Sequence, residues 1–199
     1  MQGQRQRSQG NPEWRAPQVV AFGVAMSKVP AVSTDNAQPA MSAAPLHVGW
    51  VDLHPDVSMN FQLNRWLAYG GESWLADVRP VLATLQGFDA WRDNFVVLGE
   101  RAESGGRMLD AALHLRAAKF FMVPGDPRQT PTRRRLTAML RQAHGVTLAD
   151  RREVPFAGAT LPAFRFTADE PRGTIVAFGG FDSYIEEFFP ILLSLRDRG

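Results

Sequence analysis

Cysteine is absent, so neither a disulfide framework nor a thiolate-ligated metal site can be built from this sequence, an absence that fits a reducing cytoplasm. Histidine is scarce. The four are His47, His54, His114 and His144, far apart in the chain and with none after residue 144. Such scatter offers no metal-ligand spacing, and a lone histidine is more often structural than ligating, so no metal and no other cofactor is expected. Long apolar runs are missing too: nothing approaches the roughly 18 consecutive apolar residues that a membrane span requires. Charge of one sign is almost balanced, at a net +2. Four of the 22 basic residues (Arg5, Arg7, Arg15, Lys28) and two of the 20 acidic ones (Glu13, Asp35) precede His47, leaving 18 of each beyond it. The patterned part is therefore neutral, and neither nucleic acid nor a membrane is expected as a partner.

What is present is ordinary globular material, 45% apolar and 21% charged over 199 residues, enough for one domain or for one domain with an extension. Residues 1–46 are rich in Gln, Ser, Pro, Ala and Gly without sustained periodicity. They cannot bury enough apolar surface to offset the entropy of ordering, and a disordered tail is expected there. Met41 lies close to where patterned sequence begins and is an alternative start position. Val19 to Met26 is apolar and follows three arginines, but the run is short, Pro12 and Glu13 interrupt its approach and no clean small-residue cleavage site follows. The expectation is a soluble, cytoplasmic protein.

From 47 to 148 the periodicity is helical. Ser58 is a candidate N-cap for a stripe of Met59, Leu63, Trp66 and Leu67, with Gly70 and Gly71 as the stop. Trp74, Leu75, Val78, Val81, Leu82 and Leu85 continue as a second stripe, in which Pro80 must kink the helix or begin a new one. Asp89 can cap a third helix bearing Trp91, Phe95 and Leu98. Past Gly105 and Gly106, a fourth carries Leu109, Ala112, Leu113, Arg116, Ala117, Phe120 and Phe121. A turn at Pro124 to Asp126 leads to a last helix with Thr130 as cap and Pro131 at its first position. Trp66, Trp74, Trp91, Phe95, Phe120 and Phe121 are expected in the core, and Thr132 to Arg135 on a solvated face.

After Gly145 the period changes. Arg152 to Phe156 and Thr160 to Thr167 read as two strands around a turn at Ala157 and Gly158. Thr174 to Phe178 is a short unbroken apolar run, the mark of a strand covered on both faces. It enters a Gly179-Gly180 turn and then a helix with Ser183 and Glu186 as a capping box, which also accounts for Glu186 beside Glu187. A glycine turn at a helix N-terminus presents free backbone N–H groups to negative charge.

A helical domain followed by VPF…LPAFRF…TIVAFGGFDSYIEEFF resembles the α/β-hydrolase superfamily. More narrowly, it resembles the bacterial branch with an N-terminal helical domain, the relatives of acylaminoacyl-peptidase-like and pseudooxynicotine-hydrolase-like enzymes. NFQLNRWLAYGG (60–71) and GRMLDAALHLRAAKFFMVPGDP (106–127) are similar to that branch as well, so the resemblance covers roughly 50–199. It implies an α/β fold, with an all-α cap-like domain over 47–148 and the start of a catalytic sheet over 149–199, about three strands and one helix. It also implies an oxyanion hole at the glycine turn, whose donors here would be the N–H groups of Gly180 or Phe181. Phe178 stands where the family often has histidine, which a backbone site tolerates.

The family then needs a Gly-x-Ser-x-Gly elbow, an acid and a histidine, in that order. None of these is present: Ser194 is the only serine after Ser183, neither lies in an elbow motif, and no catalytic residue is assigned. The resemblance thus implies an N-terminal portion of a serine hydrolase that lacks the strand inserted between its second and third strands and is inactive alone. Its partners would be a small acyl substrate in the full-length parent, a C-terminal half supplied as another chain, or a second copy. A non-catalytic helical interaction module is the alternative, although no period recurs three times as a solenoid needs.

Overall fold

The computed structural model describes residues 49–199, and the tail, the Val19–Met26 run and Met41 lie outside them. The described chain is mostly helical with one small sheet. Helix α1 (Val57–Val78) is followed by a 3-10 turn over Arg79–Thr84, then α2 (Gly87–Ser104), α3 (Met108–Phe120) and α4 (Gln129–Ala143). Strands β1 (Arg151–Phe156) and β2 (Ala159–Phe164) come next, and α5 (Phe189–Arg196) closes the series after a 3-10 turn over Ile185–Phe188. Among the described residues no helix is long and apolar enough to cross a membrane.

The starts of α1, α2 and α4 differ from the sequence reading by a few residues, and only α1 begins with a side-chain cap. Asp56, not Ser58, caps α1, its Oδ1 accepting from the Met59 N–H at 2.9 Å. Gln86 precedes α2, and Asp89 sits within the first turn, where it pairs with Arg92. Helix α4 begins at Gln129 rather than after a Thr130 cap, because Asp126 and the Gln129 side chain already tie down the preceding turn. Pro80 does open a new segment, the 3-10 turn. Gly71 breaks α1 with φ 60° and ψ −152°, yet the chain resumes helical geometry at once. Gly70 is required for a different reason: a Cβ there would lie 2.4 Å from Trp74 Cβ.

Nine of the 13 residues of α3, Asp110 to Ala118, are buried, and it runs through the centre of the helical layer between α1, α2 and α4. Trp66, Trp74, Trp91 and Phe95 are fully buried, and Trp91 Nε1 donates to the Ala117 carbonyl at 2.8 Å. Phe120 and Phe121, expected in the core, are only half-buried. Helices α2 and α4 both end in a Schellman arrangement, with Gly106 and Gly145 at positive φ and the following N–H reaching back to Ala102 and Arg141.

Strands β1 and β2 form an antiparallel hairpin whose register runs from Arg151 opposite Phe164 to Phe156 opposite Ala159. Its two-residue turn has positive φ at both Ala157 (47°) and Gly158 (78°), which matches strand twist. The third expected strand is not formed. Residues 174–178 pair with nothing, and Ile175, Val176 and Phe178 are 68%, 81% and 86% exposed, the reverse of a strand covered on both faces. A strand exists only with a neighbour to take its N–H and C=O groups, and the single sheet among the described residues has two strands. The capping box is also displaced by one residue: Glu187, not Glu186, accepts from the Tyr184 N–H, and Ser183 lies in the turn before it. Phe189 is buried against Phe164, Phe166 and His144 and seats α5 between the hairpin and the end of α4.

Candidate functional site

After the unpaired apolar stretch the chain turns over Gly180–Ser183, with Phe181 and Asp182 at the corner and Gly179 just before it, so the turn expected at Gly179 and Gly180 is displaced by two residues. A Cβ on Gly179 would lie 2.9 Å from Ser183 Cβ and 3.3 Å from the Ser183 carbonyl oxygen, so only glycine lets the chain fold back this tightly. The Ser183 N–H closes the turn on the Gly180 carbonyl at 3.4 Å. Among the described residues, the N–H groups of Gly180 and Phe181 donate to no protein acceptor, and the Phe181 side chain is wholly exposed.

Helices α1 and α3 grip this turn from below. Arg65 Nη1 donates to Asp182 Oδ2 at 2.7 Å and Arg65 Nη2 to Glu187 Oε2 at 3.3 Å. Arg116 Nε donates to Glu187 Oε1 at 2.5 Å, and its Nη2 donates to the Asp182 carbonyl. The Arg116 guanidinium lies 5.0 Å from the Trp66 ring and 4.7 Å from that of Tyr184, and Arg133 of α4 covers Tyr184 at 5.4 Å. The hydrogen bond from Arg65 lowers the Asp182 pKa below the usual carboxylate range. Burial raises that of Glu186, whose nearest cation is Arg141 at 3.9 Å.

A second polar group lies inside the helical layer. Ser73 Oγ donates to Asp110 Oδ2 at 2.6 Å, and Arg107 bridges Asp110 (2.8 Å) and Asp77 (2.7 Å). His114 Nε2 stands 3.1 Å from Asp77 Oδ2. Burial pushes the Asp77 carboxyl up, but hydrogen bonds from Arg107 and His114 prevail and its pKa is lowered. Burial lowers the His114 pKa against the opposing pull of Asp77, so the imidazole is neutral and its Nε2 carries the proton that an ionised Asp77 accepts. His114 Nδ1 has no partner. The serine faces Asp110 rather than His114, so Ser73, His114 and Asp77 do not form a catalytic relay.

The other two described histidines, His54 and His144, are structural in their contacts. His54 Nδ1 accepts from the Asp56 N–H, which leaves Nε2–H to donate to the Leu85 carbonyl at 3.0 Å. His144 meets Phe189 edge to face. Among the described residues no three His, Asp or Glu side chains gather as a metal-holding group. Of the solvated face expected over Thr132 to Arg135, only Arg133 and Arg134 are exposed: Thr132 is buried and Arg135 is drawn into pairs with Glu103 and Glu100. Open grooves of about 390 Å³ beside Arg107 and about 480 Å³ beside Trp50 and His54 do not reach the glycine turn.

Sequence reasoning did not single out Arg65 or the partnership of Arg116 with Glu187. The signal was there for Arg116: it occupies an apolar-stripe position of α3 between Leu113 and Ala117, where a cation is stable only if an anion is buried with it. Comparison of the chain with protein-family models, with curated proteins and with solved structures finds no match in any of the three.

Proposed function

We propose that residues 47–199 are the N-terminal portion of an α/β-hydrolase: a helical cap-like domain, then the opening hairpin, the next strand segment and the oxyanion turn of the catalytic domain. The parent reaction is serine-dependent hydrolysis of an ester, amide or related acyl bond. The observation that carries this reading is the apolar stretch 174–178, which follows an antiparallel hairpin yet pairs with nothing. In the family's sheet another strand lies between the second and third, so a third strand without it would have no ladder to join. The tight Gly179–Ser183 turn and the unpartnered N–H groups of Gly180 and Phe181 support the assignment of the oxyanion donors.

Gly180 and Phe181 would stabilise the oxyanion of an acyl tetrahedral intermediate through backbone N–H groups, and nucleophile, acid and base would come from elsewhere. No histidine follows His144 in the sequence, and among the described residues none hydrogen-bonds Ser183 or Ser194. The chain is read as cytoplasmic and inactive alone. Its completing partner would be the remainder of the catalytic domain, in the same chain or as a separate subunit.

The rival reading, a helical interaction module, predicts exposed apolar surface confined to a helical groove. Instead Val154, Phe156, Leu161, Ile175, Val176, Phe178 and Phe181 place much of that exposure on the hairpin and the stretch after it. Fluorophosphonate labelling and a p-nitrophenyl ester assay on the pure chain test the proposal. Neither is expected to give signal; stoichiometric labelling would overturn it. Co-purification of a chain carrying a Gly-x-Ser-x-Gly elbow would identify the split arrangement.

A further inference from the structure

We propose that Arg116 of α3 is the positioning residue of the glycine turn, with Arg65 of α1 as its assistant, so that the helical domain sets the orientation of the Gly180 and Phe181 N–H groups. The catalytic meaning of that orientation rests on the hydrolase reading; the mechanical link does not. The turn has little of its own to hold it. Within 179–183 the closing bond is the long one from the Ser183 N–H to the Gly180 carbonyl, and Phe181 packs on nothing. The firm attachments come from the helices: Arg116 to the Asp182 carbonyl and the Glu187 carboxylate, Arg65 to both acidic side chains.

Arg116 is suited to this in a way no lysine is. Its planar fork sends one donor to a backbone carbonyl and another to a carboxylate, which fixes the Asp182–Ser183 peptide plane relative to Glu187. The rings of Trp66 and Tyr184 lie at 5.0 and 4.7 Å and limit its swing, and its side chain is only 3% exposed. An ammonium on a flexible stem would satisfy one acceptor and release the other. Because α3 is the most buried helix of the layer, the anchor point is itself rigid.

Backbone 15N relaxation on the full chain tests this. Order parameters for the Gly180, Phe181 and Asp182 amides are expected near the rigid value of about 0.85, falling below about 0.6 in Arg116→Met while α2, α3 and α4 keep theirs. Arg116→Lys is expected between the two. Should Arg116→Met not fold, Glu187→Gln keeps the volume, removes the anion and is expected to loosen the same amides. A turn already mobile in the parent overturns the proposal, as does one equally rigid in the variants, or loosening spread evenly over the helices. Relaxation needs no catalysis, so failure here leaves the hydrolase reading standing, and an unexpected labelling result leaves the clasp standing.

Discussion

Arg116 Nε and Glu187 Oε1 lie 2.5 Å apart with side chains 3% and 6% exposed, a buried ion pair that joins the third helix to a segment 71 residues later. Desolvation makes such a pair a weak source of net stability, but removing one member leaves the other charged and dry. Arg116→Met is therefore expected to cost about 3–5 kcal/mol in urea unfolding, while Arg116→Met combined with Glu187→Met costs clearly less than the sum of the single changes. Additive losses would mean that the two side chains do not act as a unit.

Burial of His114, which outweighs the pull of Asp77, predicts an acid-sensitive core. His114 has a folded pKa held below its unfolded value by burial, as does His144, so the unfolded state binds protons first as the pH falls. Their contribution is fully present above about pH 6.5 and declines below it, at up to about 1.4 kcal/mol per pH unit for each group. Asp77 acts lower, its stabilisation lost as the pH drops beneath the ordinary carboxylate range. His114→Phe keeps an aromatic ring against Trp74, 5.5 Å away, and should flatten the decline between about pH 6.5 and 5 measured by urea midpoints. An unchanged slope would place the acid sensitivity elsewhere.

Three glycines, Gly70, Gly179 and Gly180, should behave differently under the same substitution. Gly70→Ala drives a methyl to within 2.4 Å of Trp74 Cβ and should cost about 1–3 kcal/mol through overpacking. Gly179→Ala meets Ser183 at 2.9 Å and should open the turn, whereas Gly180→Ala has Ser183 Oγ at 4.0 Å and should be tolerated. Thermal melts of the three variants, with amide shifts of 179–183, check the order. A Gly180→Ala loss as large as that of Gly70→Ala would contradict it.

What the sequence could reveal tracks the range of the interaction involved. Helical stripes, the break at Gly105 and Gly106 and the Ala157-Gly158 hairpin turn depend on local geometry and appear at or near their expected places, whereas the stop expected at Gly70 and Gly71 is only a kink within α1. Caps at Ser58, Asp89 and Thr130 failed by a few residues: at α1 the Asp56 carboxylate takes the Met59 N–H instead, while α2 and α4 begin with no side-chain cap at all. Thr174–Phe178 failed more instructively: its apolar run gives the residues a strand would use, but pairing depends on another strand, which no local pattern supplies. The Arg65 and Arg116 contacts span 117 and 71 residues, and only a cation within an apolar stripe hinted at either.

The stretch from Ile175 to Phe181 should govern how the chain behaves in solution. Its apolar side chains are bare, and the unpaired backbone beside them is open to pairing with a second strand. Val176→Ser with Phe178→Ser removes the two most exposed side chains of the apolar run while touching no core contact, so the unfolding midpoint should shift by no more than about 0.5 kcal/mol equivalent. Self-association and dye binding to apolar surface should fall together in the same variant. Light scattering and 8-anilinonaphthalene sulfonate fluorescence read the two effects. Association that persists unchanged would mean that another surface, such as the exposed Trp50 and Phe61 on the helical side, drives it instead.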